Sequence, residues 1–104
     1  NSIINLKVGS NIEPSKLVNR LVSIGYTRDT IVNKTGEFGV RGYIVDVFPI
    51  DEDNPYLLIA RHIHNEKLQY DKLLAYADSY YNNKTILHLA HTASAGGVNI
   101  WNYI

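Results

Sequence analysis

The fold of this chain is decided by residues 36–49, which read GEFGVRGYIVDVFP. Side chains alternate between the two faces of a β-strand, so the spacing of apolar residues before and after Gly42 predicts two strands, with Pro49 ending the second. The apolar set lies at even positions before Gly42 and at odd positions after it. We therefore predict a bulge or a tight bend at Gly42.

The residues before this stretch predict a strand followed by a supporting helix. Apolar residues between Ile3 and Val8 indicate a short strand, and Pro14 fits the first turn of a helix. The helix has an apolar stripe that is expected to pack on the core, made of Leu17, Val18, Leu21, Val22 and Ile24. Gly25 is the expected left-handed residue that ends it.

Residues 26–32 are rich in β-branched and aromatic types, and residues 33–36 (NKTG) are turn formers. We therefore predict a hairpin between residues 26–32 and the strand that begins at Glu37. Its register pairs Arg28 with Arg41 and Thr30 with Gly39, so these four residues share one face. The opposite face, directed to the core, carries Ile31, Phe38 and Val40.

Two arginines directly opposite each other are mildly destabilising. Either a nearby acid screens the pair at the surface, the candidates being Asp29, Glu37 and Asp46, or the pair is held ready for an acidic partner. Surface charges are usually just solvated, which favours screening on the residues alone.

The second half of the chain predicts further strands and a second helix. Residues 51–55 form an acidic turn, and residues 56–63 and 67–70 are expected to be the arms of a hairpin. Asp71 is the expected N-cap of a helix over 72–81, in which Tyr76, Tyr80 and Tyr81 are packing residues. Strands follow at 85–91 and 98–104. The predicted fold class is α+β, a mostly antiparallel sheet with two helices in a single domain, 1–104.

Composition excludes several classes of function. The chain has 104 residues, 45% hydrophobic and 19% charged, and a formal net charge of zero, so no overall field attracts nucleic acid or an anionic membrane. No apolar run reaches the length of about 20 residues that a membrane span needs. Cysteine is absent, which is compatible with a reducing cytoplasm. The chain begins at Asn1 and has no methionine, so we expect a module of a longer protein.

The four histidines are a candidate metal site. His62 and His64 would share a strand face, but His88 and His91, three residues apart, would point to opposite faces of a strand. Neither a nucleophile-elbow motif nor a phosphate-binding glycine loop is present. We therefore predict no catalytic residues, no cofactor and no metal.

Three segments resemble a module shared by the bacterial transcription–repair coupling factor (Mfd) and the excision-repair protein UvrB. They are residues 21–28 (LVSIGYTR), residues 36–42 (GEFGVRG) and residues 44–49 (IVDVFP). The resemblance covers Leu6 to Pro49, so residues 1–55 are the family-like half and 56–104 are a divergent or unrelated completion. It implies a non-motor, non-catalytic α/β domain whose exposed face binds UvrA.

The resemblance also marks individual residues. Arg28 and Arg41 match arginines that UvrB-like proteins set against acidic groups of UvrA, and Gly39 stands where a further UvrB-type arginine is expected. Thr30 shares the predicted face. Phe38 and three glycines are the expected structural residues, the glycines being Gly25, Gly36 and Gly42.

The partner implied by the resemblance is a UvrA-like protein in the cytoplasm. The module would contact nucleic acid only indirectly, through the parent protein. The resemblance implies that this parent is an ATP-dependent DNA translocase or helicase. An alternative is a nucleic-acid-binding domain that contacts phosphates through Arg20, Arg28, Lys34 and Arg41, against which the zero net charge argues.

Overall fold

This computed structural model describes residues 3–7, 12–42, 44–59, 66–89 and 97–104, and at 66–70 and 88 it describes the backbone alone. These residues form seven strands and two helices. In chain order they are β1 (Ile3–Lys7), α1 (Pro14–Ser23), β2 (Thr27–Arg28), β3 (Glu37–Arg41), β4 (Ile44–Val47), β5 (Tyr56–Ile59), α2 (Glu66–Asp78), β6 (Thr85–His88) and β7 (Gly97–Trp101).

The strands form a five-stranded sheet in the order β2-β3-β4-β5-β6 and a separate antiparallel ribbon of β1 and β7. In the larger sheet β3–β4 and β4–β5 are antiparallel, whereas β2–β3 and β5–β6 are parallel. The predicted α+β class with two helices is confirmed. The five-stranded sheet is mixed, because both of its edge strands run parallel to their neighbours.

The predicted hairpin between residues 26–32 and 37–41 is wrong. β2 runs parallel to β3 and pairs Arg28 with Phe38, whereas Arg41 pairs with Ile44 of β4. The two arginines are therefore not cross-strand neighbours, and the repulsion expected between them does not arise from the register.

Residues 29–36 form a return connection instead of a turn between antiparallel strands. The carboxylate of Glu37 holds this connection, since its Oε1 accepts hydrogen bonds from the backbone N–H groups of Asn33 (2.8 Å) and Lys34 (3.2 Å). The backbone N–H of Val32 donates to the Tyr81 hydroxyl rather than to β3. Turn-forming residues at 33–36 cannot by themselves distinguish these two chain paths.

The predicted tight bend at Gly42 is confirmed, and it is the turn of the hairpin between β3 and β4. Gly42 has a φ of +61°, a left-handed conformation that glycine adopts without steric cost. This turn explains why the apolar set moves from even to odd positions across Gly42. Phe38 pairs with Val47 and Val40 with Val45, so even positions of β3 share a face with odd positions of β4.

The helix α1 begins at Pro14 as predicted and ends in the expected glycine cap. The N–H of Gly25 donates to the carbonyl of Val22, and the N–H of Tyr26 donates to the carbonyl of Leu21, which is the Schellman pattern. Leu21 and Tyr26 also pack in the same cluster. Val22, predicted for the buried stripe, is 57% exposed, so that part of the prediction is wrong.

The two faces of the five-stranded sheet bury different partners. One face packs Phe38, Val45, Val47 and Leu58 against α1 and the β1–β7 ribbon. The other face packs against α2 in two smaller clusters, which include Ile44, Leu57, Ile59, Leu73, Ala77 and Tyr81. Both faces of β4 are consequently buried. Ile31 lies on the α2 side, so its predicted place beside Phe38 is wrong.

The second half of the chain completes this arrangement. The predicted second arm of a hairpin at 67–70 is wrong, because these residues belong to α2, and Asp71 lies inside the helix instead of capping it. The helix α2 connects β5 to the parallel strand β6, and β7 returns to pair with β1. Leu89, Val98 and Ile100 join the cluster that contains α1.

Candidate interaction surface

An open cleft lies between the end of β3, the return connection and α2. Its volume is about 450 Å³, and it is lined by Arg28, Asp29, Thr30, Val40, Arg41 and Tyr76. Three of the four predicted contact residues therefore line one cleft. They meet there through the return connection and not through the predicted hairpin.

Arg41 is held in a buried ion pair. Its Nε donates to Oδ2 of Asp46 at 2.8 Å; the arginine side chain is 16% exposed and the aspartate 0%. Asp46 was one of three acids expected to screen the arginines at the surface; it pairs with Arg41, and the pair lies in the interior. Its other oxygen, Oδ1, has no hydrogen-bond partner within the described ranges.

The remaining donors of Arg41 are also engaged. Nη1 donates to the Tyr76 hydroxyl, and Nη2 lies 3.3 Å from the carbonyl oxygen of Thr30 and 3.4 Å from the Tyr81 hydroxyl. The guanidinium carbon lies 4.6 Å from the ring centroid of Tyr76 and 4.9 Å from that of Tyr80. Burial alone lowers the pKa of Arg41, but hydrogen bonds to Asp46 and Tyr81 raise it above its ordinary value, so the charge is fixed.

Tyr81 links α2 to both the ion pair and the return connection. Its hydroxyl donates to Oδ2 of Asp46 at 2.8 Å and accepts from the N–H of Val32 at 3.3 Å. Burial raises the pKa of Tyr81, and the Val32 hydrogen bond partly opposes that rise. The hydroxyl therefore stays protonated and remains a donor at neutral pH.

Arg28 differs from Arg41 in being free. Its side chain is exposed, and across the described ranges no carboxylate forms an ion pair with it. The neighbouring Asp29 accepts a hydrogen bond from the N–H of Thr30 at 2.7 Å. Arg28 is thus the guanidinium of the cleft that can bind another molecule without first losing a partner.

Gly39 lies beneath the return connection. A Cβ atom at this position would come within 2.9 Å of the Asp29 carbonyl oxygen and 3.4 Å of that of Thr30. An arginine here, the residue that UvrB-like proteins are expected to have, would force the connection to move. Glycine at position 39, in place of that arginine, therefore leaves room for the return connection to bring Thr30 to Arg41.

The other predicted structural residues have clear roles. Phe38 is fully buried in the core. Gly36 donates its N–H to the carbonyl of Phe48 at 2.8 Å, and a side chain at Gly36 would overlap the ring of Tyr103. Gly25 similarly lies under Ile104, so the last residues of the chain cover both glycines.

Sequence reasoning missed the contribution of α2 to this surface. Tyr76 and Tyr80 were expected to be packing residues, yet they are 43% and 41% exposed and lie against Arg41. The signal that could have revealed the cluster is Asp46, an acid within the apolar run 44–47 that requires a buried cation or donor.

The described residues contain no group of three or more histidine or acidic side chains able to hold a metal. His62, His64 and His91, and the side chain of His88, lie outside them, so the histidine hypothesis stays untested. Neither described helix is long and apolar enough to cross a membrane.

The cleft thus places one exposed guanidinium, without an ion-pair partner among the described residues, next to a second one that Asp46 holds in place, and such a group can form charge-assisted hydrogen bonds with a carboxylate. Residues 4–62 match the UvrB interaction domain family. This match covers more than half of the chain, and the chain belongs to that family.

Two curated relatives are transcription-repair-coupling factors. The protein from Bacillus subtilis strain 168 is 46% identical over 50 residues, and that from Staphylococcus aureus strain USA300 is 42% identical over 50 residues. Each match covers 48% of this chain and 4% of the relative. The chain thus corresponds to a small part of these much longer proteins.

Proposed function

We propose that this chain is a non-catalytic domain of a bacterial DNA-repair factor and that it docks onto UvrA through the cleft between β3, the return connection and α2. Membership of the UvrB interaction domain family and the likeness to coupling factors support a role in DNA repair through protein interaction. The contact residues in this proposal are Arg28, Thr30 and Arg41, with Gly39 beneath them.

The observation that carries the proposal is the exposed guanidinium of Arg28, which lines the cleft and forms no ion pair with any described residue. Arginine binds a carboxylate in a planar, two-point geometry, and a charge-assisted hydrogen bond is stronger than a neutral one. An acidic side chain of UvrA placed in the cleft would reach this group without breaking an existing ion pair.

Arg41 has a different part in the proposed interaction. Asp46, Tyr76, Tyr81 and the Thr30 carbonyl already occupy its donors. Its main effect is to fix the shape of the cleft, and its exposed edge is available for a weaker contact with the partner.

We further propose that residues 1–104 form one interaction module and that its parent is a cytoplasmic, ATP-dependent DNA translocase. Pairing of β7 with β1 and of β5 with β4 supports a single module, because strands from the second half complete the ribbon and the sheet begun in the first. The relatives are transcription-repair-coupling factors, and an ATP-dependent translocase is the parent that the resemblance to that family implies.

The proposal is tested by isothermal titration calorimetry of the purified chain with UvrA and, separately, with duplex and single-stranded DNA. Saturable binding to UvrA is expected, and Arg28→Glu should abolish it because a carboxylate would then face a carboxylate. Arg20→Glu, which reverses an exposed charge on α1, is the matched control and should bind normally. Binding to DNA but not to UvrA would replace the proposal with the nucleic-acid alternative.

A further inference from the structure

We infer that α2 and the turn after it supply part of the docking surface, with Tyr76 and Tyr80 contacting the partner beside Arg28. This inference rests on the proposed function and extends it to the part of the chain that follows the family match. It also specifies the partner segment, which would present an acidic side chain to Arg28 and an apolar side chain next to it to the two rings.

The outward position of the two rings is the first support. On α2 and the turn after it, Leu73, Ala77 and Tyr81 pack into the sheet and are buried. Tyr76 and Tyr80, four residues apart, are 43% and 41% exposed. Their ring centroids are 4.9 Å apart in an edge-to-face arrangement, so they form one continuous aromatic patch.

The second support is that this patch is held in place before any partner arrives. The Arg41 guanidinium contacts both rings, and Arg41 is itself anchored by buried Asp46 and by Tyr81. A surface ordered in advance loses less conformational entropy on binding, and tyrosine offers a large contact area with only two side-chain torsions.

The charges around the cleft favour recognition through direct contact over long-range electrostatic attraction. Buried Asp46 offsets Arg41, and Asp29 lies in the same cleft as Arg28. The cleft therefore projects little net positive field, in keeping with the zero net charge of the chain. An acidic side chain gains most when it touches Arg28 directly, and apolar contact with the tyrosines supplies the remaining affinity.

The test compares the UvrA affinity of Tyr80→Ala and Tyr76→Ala with that of wild type, using the urea midpoint to verify folding. Tyr80→Ala is the cleaner variant, because the Tyr76 hydroxyl accepts a hydrogen bond from Arg41 and its loss could also affect stability. We expect the dissociation constant to rise about tenfold for Tyr80→Ala, as for loss of one aromatic contact residue. Trp101→Ala, an equally exposed aromatic residue on β7, is the matched control and should bind like wild type.

The outcomes separate this inference from the proposed function. If Tyr80→Ala binds as wild type while Arg28→Glu does not bind, the role of α2 is refuted and the docking proposal stands. If wild-type protein does not bind UvrA, both are refuted. An equal loss of affinity in Trp101→Ala would also refute the inference, because the effect would then not be specific to α2.

Discussion

Replacing Arg41 with methionine should destabilise the fold, although Arg41 resembles a surface docking residue in the sequence. The substitution keeps an apolar stem but leaves the Asp46 carboxylate, which is 0% exposed, with Tyr81 as its one remaining hydrogen-bond donor within the described ranges. Removing one partner of a buried ion pair typically costs about 3–5 kcal/mol. Because Arg41 keeps 16% of its side-chain exposure, we expect the lower end, about 3 kcal/mol.

Urea unfolding followed by far-ultraviolet circular dichroism measures this cost. For a slope of about 1.5 kcal/mol per molar, the urea midpoint should fall by about 2 M. Arg28→Met is the control, and as an exposed substitution it should change the free energy of unfolding by less than about 0.5 kcal/mol.

A double-mutant cycle with Asp46→Asn isolates the interaction. Asparagine in the Arg41→Met background removes the uncompensated buried charge, so part of the lost stability should return. If Arg41→Met costs less than about 1 kcal/mol, or if Asp46→Asn gives no recovery, the buried ion pair is not what orders the cleft. The result also bears on binding experiments, since loss of UvrA binding in an Arg41 variant would reflect disorder of the cleft as well as a lost contact.

Three other substitutions test separate parts of the structure. Gly39→Ala should lower the free energy of unfolding by about 1–3 kcal/mol, because its Cβ would lie 2.9 Å from the Asp29 carbonyl oxygen. An unchanged urea midpoint would mean that the return connection does not pass over Gly39. Tyr81→Phe should cost about 1–3 kcal/mol, since it removes a donor to the buried carboxylate and the acceptor of a backbone N–H, whereas Tyr80→Phe should be nearly neutral. A hydrogen bond to Glu52 in the acidic turn raises the pKa of Tyr56 from 10.0 to about 12. This hydrogen bond therefore stabilises the fold fully below pH 10, and its contribution is lost as the pH rises from 10 to 12. Tyr56→Phe should therefore show a shallower decline of the urea midpoint over that alkaline range, and an unchanged decline would contradict this assignment.

Local patterns predicted the parts of the fold that depend on local chemistry. The helix that begins at Pro14, its glycine cap and the bend at Gly42 each follow from backbone preferences of one or two residues. The direction of β2 does not, because a parallel and an antiparallel neighbour of β3 require the same strand-forming residues. The path is decided by contacts distant in sequence, such as that of Val32 with Tyr81.

Three of the four predicted contact residues lie together, and their role in docking stays a prediction. Arg28, Thr30 and Arg41 do line one cleft, although the register that suggested it was wrong. Asp46 lies in an apolar run, which indicates a buried acid, but its partners Arg41 and Tyr81 could be identified only in the structure. The placement of Tyr76 and Tyr80 depends on how α2 lies across the sheet, which its own sequence does not specify.

The central claim, that UvrA docks in the cleft, is tested most directly by site-specific photo-crosslinking. A photoreactive amino acid replaces Thr30, which is exposed at the cleft, or Lys16, which is exposed beside a different groove on α1. The account predicts that the protein modified at position 30 crosslinks to UvrA on illumination and that the protein modified at position 16 does not. Equal crosslinking from both positions, or crosslinking from position 16 alone, would contradict it.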